Sequence, residues 1–179
     1  MMIEVRIYIA DLAAYNNAQM RGEWVTLPIP EEELDTIVHK YTNEGRGDYE
    51  ILDYEGPFPK DAIGNDPWRL NRWAATLSNL PTLHELDEDV IYAVLQDFTD
   101  PTEPLAILSD PNRFRVYRAR TMGEVAYDFL ASQGLFSSLP EELRDEVRDY
   151  FDFEKYGDDL RQAGDWIQGD GFFVEISEN

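Results

Sequence analysis

The chain has 179 residues, 43% of them hydrophobic and 13% aromatic, with 37 Asp and Glu against 15 Lys and Arg for a formal charge of −22. So much apolar material supports a folded core and excludes the disorder that high charge alone would suggest. The charge repels nucleic acid and anionic membranes, the lack of cysteine excludes disulfides and thiolate metal sites, and no apolar run approaches the ~20 residues of a membrane span.

Ile3, Val5, Ile7 and Ile9 alternate with Glu4, Arg6, Tyr8 and Ala10, the period-two pattern of a half-buried strand, and Met1–Ala10 holds no signal-peptide core. The expectation is therefore a soluble, cytoplasmic protein. A polar stretch at Tyr15-Asn16-Asn17 leads to Gly22 and a second strand, Glu23–Leu27. Leu34, Ile37, Val38 and Tyr41 fall at i, i+3, i+4 and i+7, which predicts an amphipathic helix over Glu31–Tyr41. Gly45-Arg46-Gly47 reads as a turn, and Tyr49–Tyr54 as a third strand ended by Gly56-Pro57.

From Asp61 the period becomes helical. Asp66 is placed to cap a helix with Pro67 at its first position, and Leu70, Trp73, Ala74 and Leu77 form its stripe. Asp87 is placed to cap the next helix, striped by Val90, Ile91, Val94, Leu95 and Phe98 and stopped by Asp100-Pro101. Pro104–Leu108 adds a short turn.

Phe114–Tyr117 then reads as a strand, and Thr121-x-x-Glu124 as a capping box for a helix through Ser132, closed by Gly134. Pro140 opens a helix to about Phe151, and Phe153–Arg161 forms another. Trp166–Gln168 and Phe172–Ile176 make a hairpin through Gly169-Asp170-Gly171. The expected fold class is α+β in three units: a small α+β unit over residues 1–60, a helical unit over 61–110 and a second α+β unit over 111–179. These hold 12 acids and 5 bases (−7), 10 and 2 (−8), and 15 and 8 (−7), so the charge is spread evenly rather than gathered in a tail.

Catalytic patterns are weak. His39 and His84 are the only histidines, and His84-Glu85-Leu86-Asp87-Glu88 lacks the second histidine of a zinc-protease helix. Gly45-Arg46-Gly47 lacks the Gly-Lys-Ser/Thr ending of a phosphate loop, and Asp48-x-Glu50-x-x-Asp53 misses the calcium-loop spacing. No Gly-x-Ser-x-Gly marks a serine hydrolase. A glycosidase needs only two suitably placed carboxylates, which this composition leaves open. The expectation is no enzyme, no cofactor and no metal.

The acids themselves are the candidate site. In the Pro140 helix Glu141, Glu142, Asp145, Glu146, Asp149 and Asp152 recur at i+3 and i+4, followed by Asp158 and Asp159. Acids four apart rise ~6 Å along a helix, close to the ~6.8 Å of two nucleotide steps. The central run adds Asp87, Glu88, Asp89, Asp97, Asp100, Glu103 and Asp110, and the first unit Glu31, Glu32, Asp48, Glu50 and Asp53. Taken singly, such rows are ordinary solvated faces: first-turn glutamates suit the helix dipole, and Arg144 and Arg148 can pair with Glu141 or Asp145. Taken together, 22 charges equal those on ~37 Å of duplex, about 11 base pairs. Adaptation to high salt would also give an acidic surface with few lysines, of which there are three beside twelve arginines. A basic partner, the class that includes proteins which themselves bind nucleic acid, is the other reading.

Ile7-Tyr8-Ile9-Ala10-Asp11-Leu12-Ala13-Ala14-Tyr15-Asn16-Asn17 with Gly22-Glu23-Trp24 resembles the opening of the ArdA-type antirestriction proteins. Asp149–Leu160, containing Phe153-Glu154-Lys155-Tyr156-Gly157-Asp158-Asp159, resembles their C-terminal signature, and Gly171-Phe172-Phe173 their last strand. The resemblance implies an elongated, curved homodimer of three-domain subunits. Its acidic surface would imitate bent DNA in the groove of type I restriction–modification enzymes, across the specificity and methyltransferase subunits. It also implies carriage on mobile elements, and an acidic protein sequestering a nucleoid protein is the alternative. Phe114, Val116 and Tyr117 are the candidate dimer edge, with a core role favoured by their apolar character. Arg113, Arg115, Arg118 and Arg120 form a basic patch that phosphate imitation does not predict.

Overall fold

Ile7 and Ile9 are buried and Tyr8 between them is half-exposed, so the expected alternation is realised in β1 (Val5–Asp11). The computed structural model describes residues 3–42, 48–81 and 83–177; the turn expected at Gly45-Arg46-Gly47 lies outside the described residues. The fold is mixed α+β, in two units, Met1–Ser109 and Asp110–Asn179. The expected pieces 1–60 and 61–110 thus fall almost wholly within the first unit, and the second begins one residue before the expected C-terminal piece.

In the first unit β1 is the centre of an antiparallel sheet ordered β2-β1-β3, with β2 at Gly22–Leu27 and β3 at Tyr49–Glu55. Its inner face, Val5, Ile7, Ile9, Val25 and Leu27, is buried. Helix α2 (Glu31–Tyr41) packs on β1 with Leu34, Val38 and Tyr41 buried. Helix α4 (Pro67–Ser78) packs on β2 and α2 and buries Leu70, Trp73, Ala74 and Leu77. Asp66 does cap it, accepting the Arg69 N–H at 2.9 Å.

The buried Asn71 amide ties α4 to the segment before α2: it accepts the Ile29 N–H at 2.9 Å and donates to the Ile29 carbonyl at 2.8 Å. Trp68 Nε1 donates to Asp35 on α2 at 2.7 Å. Helices α5 (Glu88–Gln96) and α6 (Thr102–Leu108) complete the core with Val90, Ile91, Val94, Leu95, Leu105 and Leu108. Asp87 stands at the start of α5 without a side-chain cap bond, and the stretch read as a short turn at Pro104–Leu108 is most of a helix.

Short helices also form where the sequence offered no period. Helix α1 (Leu12–Asn16) starts because Asp11 accepts the Ala14 N–H at 3.0 Å, and α3 (Lys60–Ile63) follows Pro59. Four or five residues span little more than one turn, too few to show a stripe.

The second unit carries an antiparallel sheet ordered β4-β6-β5, from β4 (Phe114–Tyr117), β5 (Asp165–Gly169) and β6 (Phe172–Ile176). Asp170 and Gly171 make the hairpin loop, with Gly171 at φ +76° as this tight turn requires. Helix α7 (Met122–Ser132) begins with Thr121 accepting the Glu124 N–H at 3.2 Å, while the Glu124 carboxylate takes the Arg120 N–H at 2.6 Å, one residue earlier than a capping box would place it. Helix α10 (Phe153–Ala163) lies against α7, and Gly157 permits the approach: a Cβ there would overlap the Met122 carbonyl. Tyr117, Ala119, Met122, Val125 and Phe173 form the core, with Phe129, Leu160 and Trp166 around it. Helix α8 (Leu135–Ser138) leads to α9 (Glu141–Tyr150), which has no buried residue. No helix among the described residues is long and apolar enough to cross a membrane.

Candidate partner-binding surface

Of the twenty acids singled out, eighteen are exposed: Glu31, Glu32, Asp48 and Asp53; Asp87, Glu88, Asp89, Asp97, Asp100 and Glu103; Glu141, Glu142, Asp145, Glu146, Asp149, Asp152, Asp158 and Asp159. Glu50 and Asp110 are half-buried. The apolar stripes of α2 and α5 turn inward and leave carboxylates on their outer faces, while in the second unit α10 and α9, the latter with no buried residue, carry theirs, so both units display them. No three of the described His, Asp or Glu residues converge closely enough to hold a metal ion. Their arrangement is dispersed, which suits contact with an extended cationic surface better than chemistry at a point.

Some of these acids also serve the local fold. Asp152 accepts the Lys155 N–H at 2.9 Å and so caps α10, and Asp110 accepts the Asn112 N–H at 2.9 Å. Hydrogen bonds from the Thr102 hydroxyl and then its backbone N–H hold the Asp100 carboxyl below the ordinary carboxylate range. Asp145 meets Arg148 at 3.7 Å, but both are largely in water, so the pair adds little stability. Arg144 instead donates to the Leu139 carbonyl at 3.1 Å, leaving Glu141 without the pairing its spacing allowed.

Helix α9 carries the densest row. Glu141, Asp145 and Asp149 sit four apart on one face, beside Glu142 and Glu146. Next to them runs an apolar stripe, with Leu143 44% and Tyr150 87% exposed and Phe151 following at 39%. The Phe151 ring packs tilted against Phe153, with centroids 4.8 Å apart, and Phe153 meets Tyr127 edge to face at 5.4 Å, so the aromatic chain runs from the end of α9 into α7.

Two arginines of the basic patch, Arg115 within β4 and Arg118 just after it, turn to aromatic rings. Arg115 bonds to the Tyr117 hydroxyl, which raises the Arg115 pKa, and its guanidinium lies 6.0 Å from that ring. Arg118 lies 5.6 Å over Phe172. The patch thus has a local structural use. Of the candidate dimer residues, Tyr117 belongs to the core, whereas Phe114 and Val116 are half-buried. Strand β4 is an edge, paired with β6 on one side only among the described residues.

Sequence periodicity did not reveal the aromatic cluster on the outer face of the first sheet, where Tyr8 and Trp24 pair edge to face at 5.6 Å. Its signal was the alternation that points Tyr8 outward and the Gly22-Glu23-Trp24 step opposite it. The family model for the antirestriction protein ArdA matches residues 7–175, nearly the full chain. No curated protein matches it.

Proposed function

The chain belongs to the ArdA family of antirestriction proteins, and on that premise we propose that it inhibits type I restriction–modification enzymes by occupying their DNA-binding groove. The observation that carries this reading is the exposure of eighteen of twenty candidate acids on both units of a protein with a formal charge of −22. A DNA groove is lined with Lys and Arg that neutralise phosphates, and the same side chains attract carboxylates spread at similar density. The protein then acts as an inhibitor and not as an enzyme, binding across the specificity and methyltransferase subunits in the cytoplasm. It acts as a homodimer, with the Phe114 and Val116 edge available for pairing, and it protects incoming DNA carried by mobile elements. No single acid is essential, because many screened charges share the contact.

The test is competition. A type I methyltransferase core bound to labelled DNA should release it as this protein is added at low salt, and release should weaken as salt rises. Retention of the DNA at low salt would sink the proposal. If the protein instead captures a nucleoid protein from host lysate and leaves the methyltransferase core untouched, the partner is that other basic protein.

A further inference from the structure

On the outer face of the first sheet, residues directly opposite one another in neighbouring strands point the same way. One such row is Thr26, Arg6 and Glu55, and the next is Trp24, Tyr8 and Asp53. The first row already holds a cation. The Arg6 guanidinium lies 5.0 Å from the Trp24 ring centroid and bonds to the Glu55 carboxylate at 2.7 Å. Two residues along β1, ~7 Å away, the second row supplies that same Trp24 ring with Tyr8 beside it, and adds a second carboxylate, Asp53, with which no cation among the described residues pairs.

A strand irregularity builds this second place. Ile51 and Asp53 are two apart and would share a face in a regular strand. The pairing shifts between Tyr8 and Ile9, so Ile51 opposes the buried Ile9 while Asp53 opposes the outward Tyr8, with Leu52 as the extra residue. Such bulges re-aim a side chain. Gly22 contributes as well, since a Cβ there would lie 2.8 Å from the Tyr8 ring. The result is a cavity of about 390 Å³ lined by Tyr8, Tyr15, Met20, Trp24, Leu52 and Asp53. Tyr15, Met20 and Trp24 are 48%, 71% and 36% exposed. The Asp53 carboxylate accepts only the Tyr54 N–H, at 2.8 Å, and no cation among the described residues pairs with it.

We propose that this cavity receives an arginine side chain of the partner protein. Aromatic faces attract a guanidinium through their quadrupole and stack on its plane, and an adjacent carboxylate supplies the opposite charge. The planar fork of arginine fits this combination better than the compact, strongly hydrated ammonium of lysine. The proposal rests on the reading that the partner surface is basic. It adds one formed contact to an otherwise diffuse attraction.

The full-length protein, labelled with nitrogen-15, is titrated with N-acetyl-arginine-N-methylamide and, separately, with its neutral isostere N-acetyl-citrulline-N-methylamide. The indole signals are followed, that of Trp24 being assigned by its loss in Trp24→Phe. We expect a saturable shift of the Trp24 signal with the arginine compound only. The indoles of Trp68, Trp73 and Trp166 report general attraction to the polyanion and should stay still. Asp53→Asn should weaken the Trp24 response by about 5-fold, whereas Glu4→Gln, an equal loss of charge just before β1, should not.

A Trp24 shift with citrulline, equal shifts of all four indoles, or an unchanged response in Asp53→Asn would each overturn the proposal. No restriction enzyme enters this titration, so its failure is distinct from failure of the competition assay.

Discussion

Helices α2 and α9 both follow a proline, both open with glutamates and both carry Leu-x-x-x-Val-x-x-Tyr, yet the first buries all three apolar residues and the second none. In α2 they are Leu34, Val38 and Tyr41; in α9 they are Leu143, Val147 and Tyr150. One position separates the patterns: Ile37 widens the α2 stripe, and Glu146 stands at the matching place in α9. A stripe of four per two turns can face a core, whereas three with a carboxylate beside them make a narrow seam next to a charged row. The difference shows that periodicity specifies an amphipathic helix, while what covers its face depends on tertiary neighbours. Sheet strand β1 and helix α4 cover α2, whereas no described residue of the second unit buries the stripe of α9.

The largest expected effect separates the two leucines. Leu34→Ala should cost ~2–5 kcal/mol in urea unfolding, because it empties a buried site, while Leu143→Ala should stay within about 0.5 kcal/mol. Exchanging the discriminating residues sharpens the comparison. Ile37→Glu should cost ~1–3 kcal/mol by placing a carboxylate against the core. Glu146→Ile should leave unfolding nearly unchanged but increase self-association in sedimentation, since it enlarges an exposed apolar patch.

Smaller effects come from the charges. Neutralising Glu31 and Glu32, or Glu141 and Glu142, should cost each helix ~0.3–1 kcal/mol of dipole stabilisation per residue, less any relief of repulsion. Equal losses in stability with different losses in competition against DNA would reveal which helix meets the partner.

The smallest effect concerns acid. Lys40, in the last turn of α2, bonds to Glu23 on β2 at 2.9 Å, and that hydrogen bond holds the Glu23 carboxyl below its ordinary value of 4.5. A carboxyl lowered in the folded state adds stability above its unfolded pKa and loses it as pH falls through the folded one. Lys40→Met should therefore flatten the decline of the urea midpoint below about pH 4.5. Arg148→Met on α9 should leave that slope alone, because Arg148 joins no second element.

The sequence made the longer elements legible because each spans two or more turns or strand repeats: β1, α2, α4, α5, α7, α10 and the β5–β6 hairpin all lie close to their expected places. The helices α1, α3 and α8 escaped because four or five residues cannot display a stripe. The acids of the candidate surface were legible as a composition; on α2 and α5 their exposure followed from apolar faces that turn inward, whereas α9 exposes its acids and its stripe alike. The cavity at Asp53 was not legible. Tyr49–Glu55 reads as one strand even though its alternation slips at the adjacent Ile51 and Leu52, and only the pairing with β1 shows that slip to be an extra residue at Leu52. Likewise the expected helix over Phe153–Arg161 gave no reason for a glycine at Gly157, whereas the structure does: the neighbouring helix leaves no room there for a side chain.

Asn71 has a consequence for how the first unit could be divided. By taking both the N–H and the carbonyl of Ile29, it does for one residue what an adjacent strand does for many. A protease cut or gene split near residue 60 would separate that residue from this partner and open the apolar face of α4 to water. The two fragments, 1–60 and 61–109, should therefore be poorly soluble apart and should recover a common fold on mixing, so that complementation between them measures the strength of a seam the chain normally keeps closed.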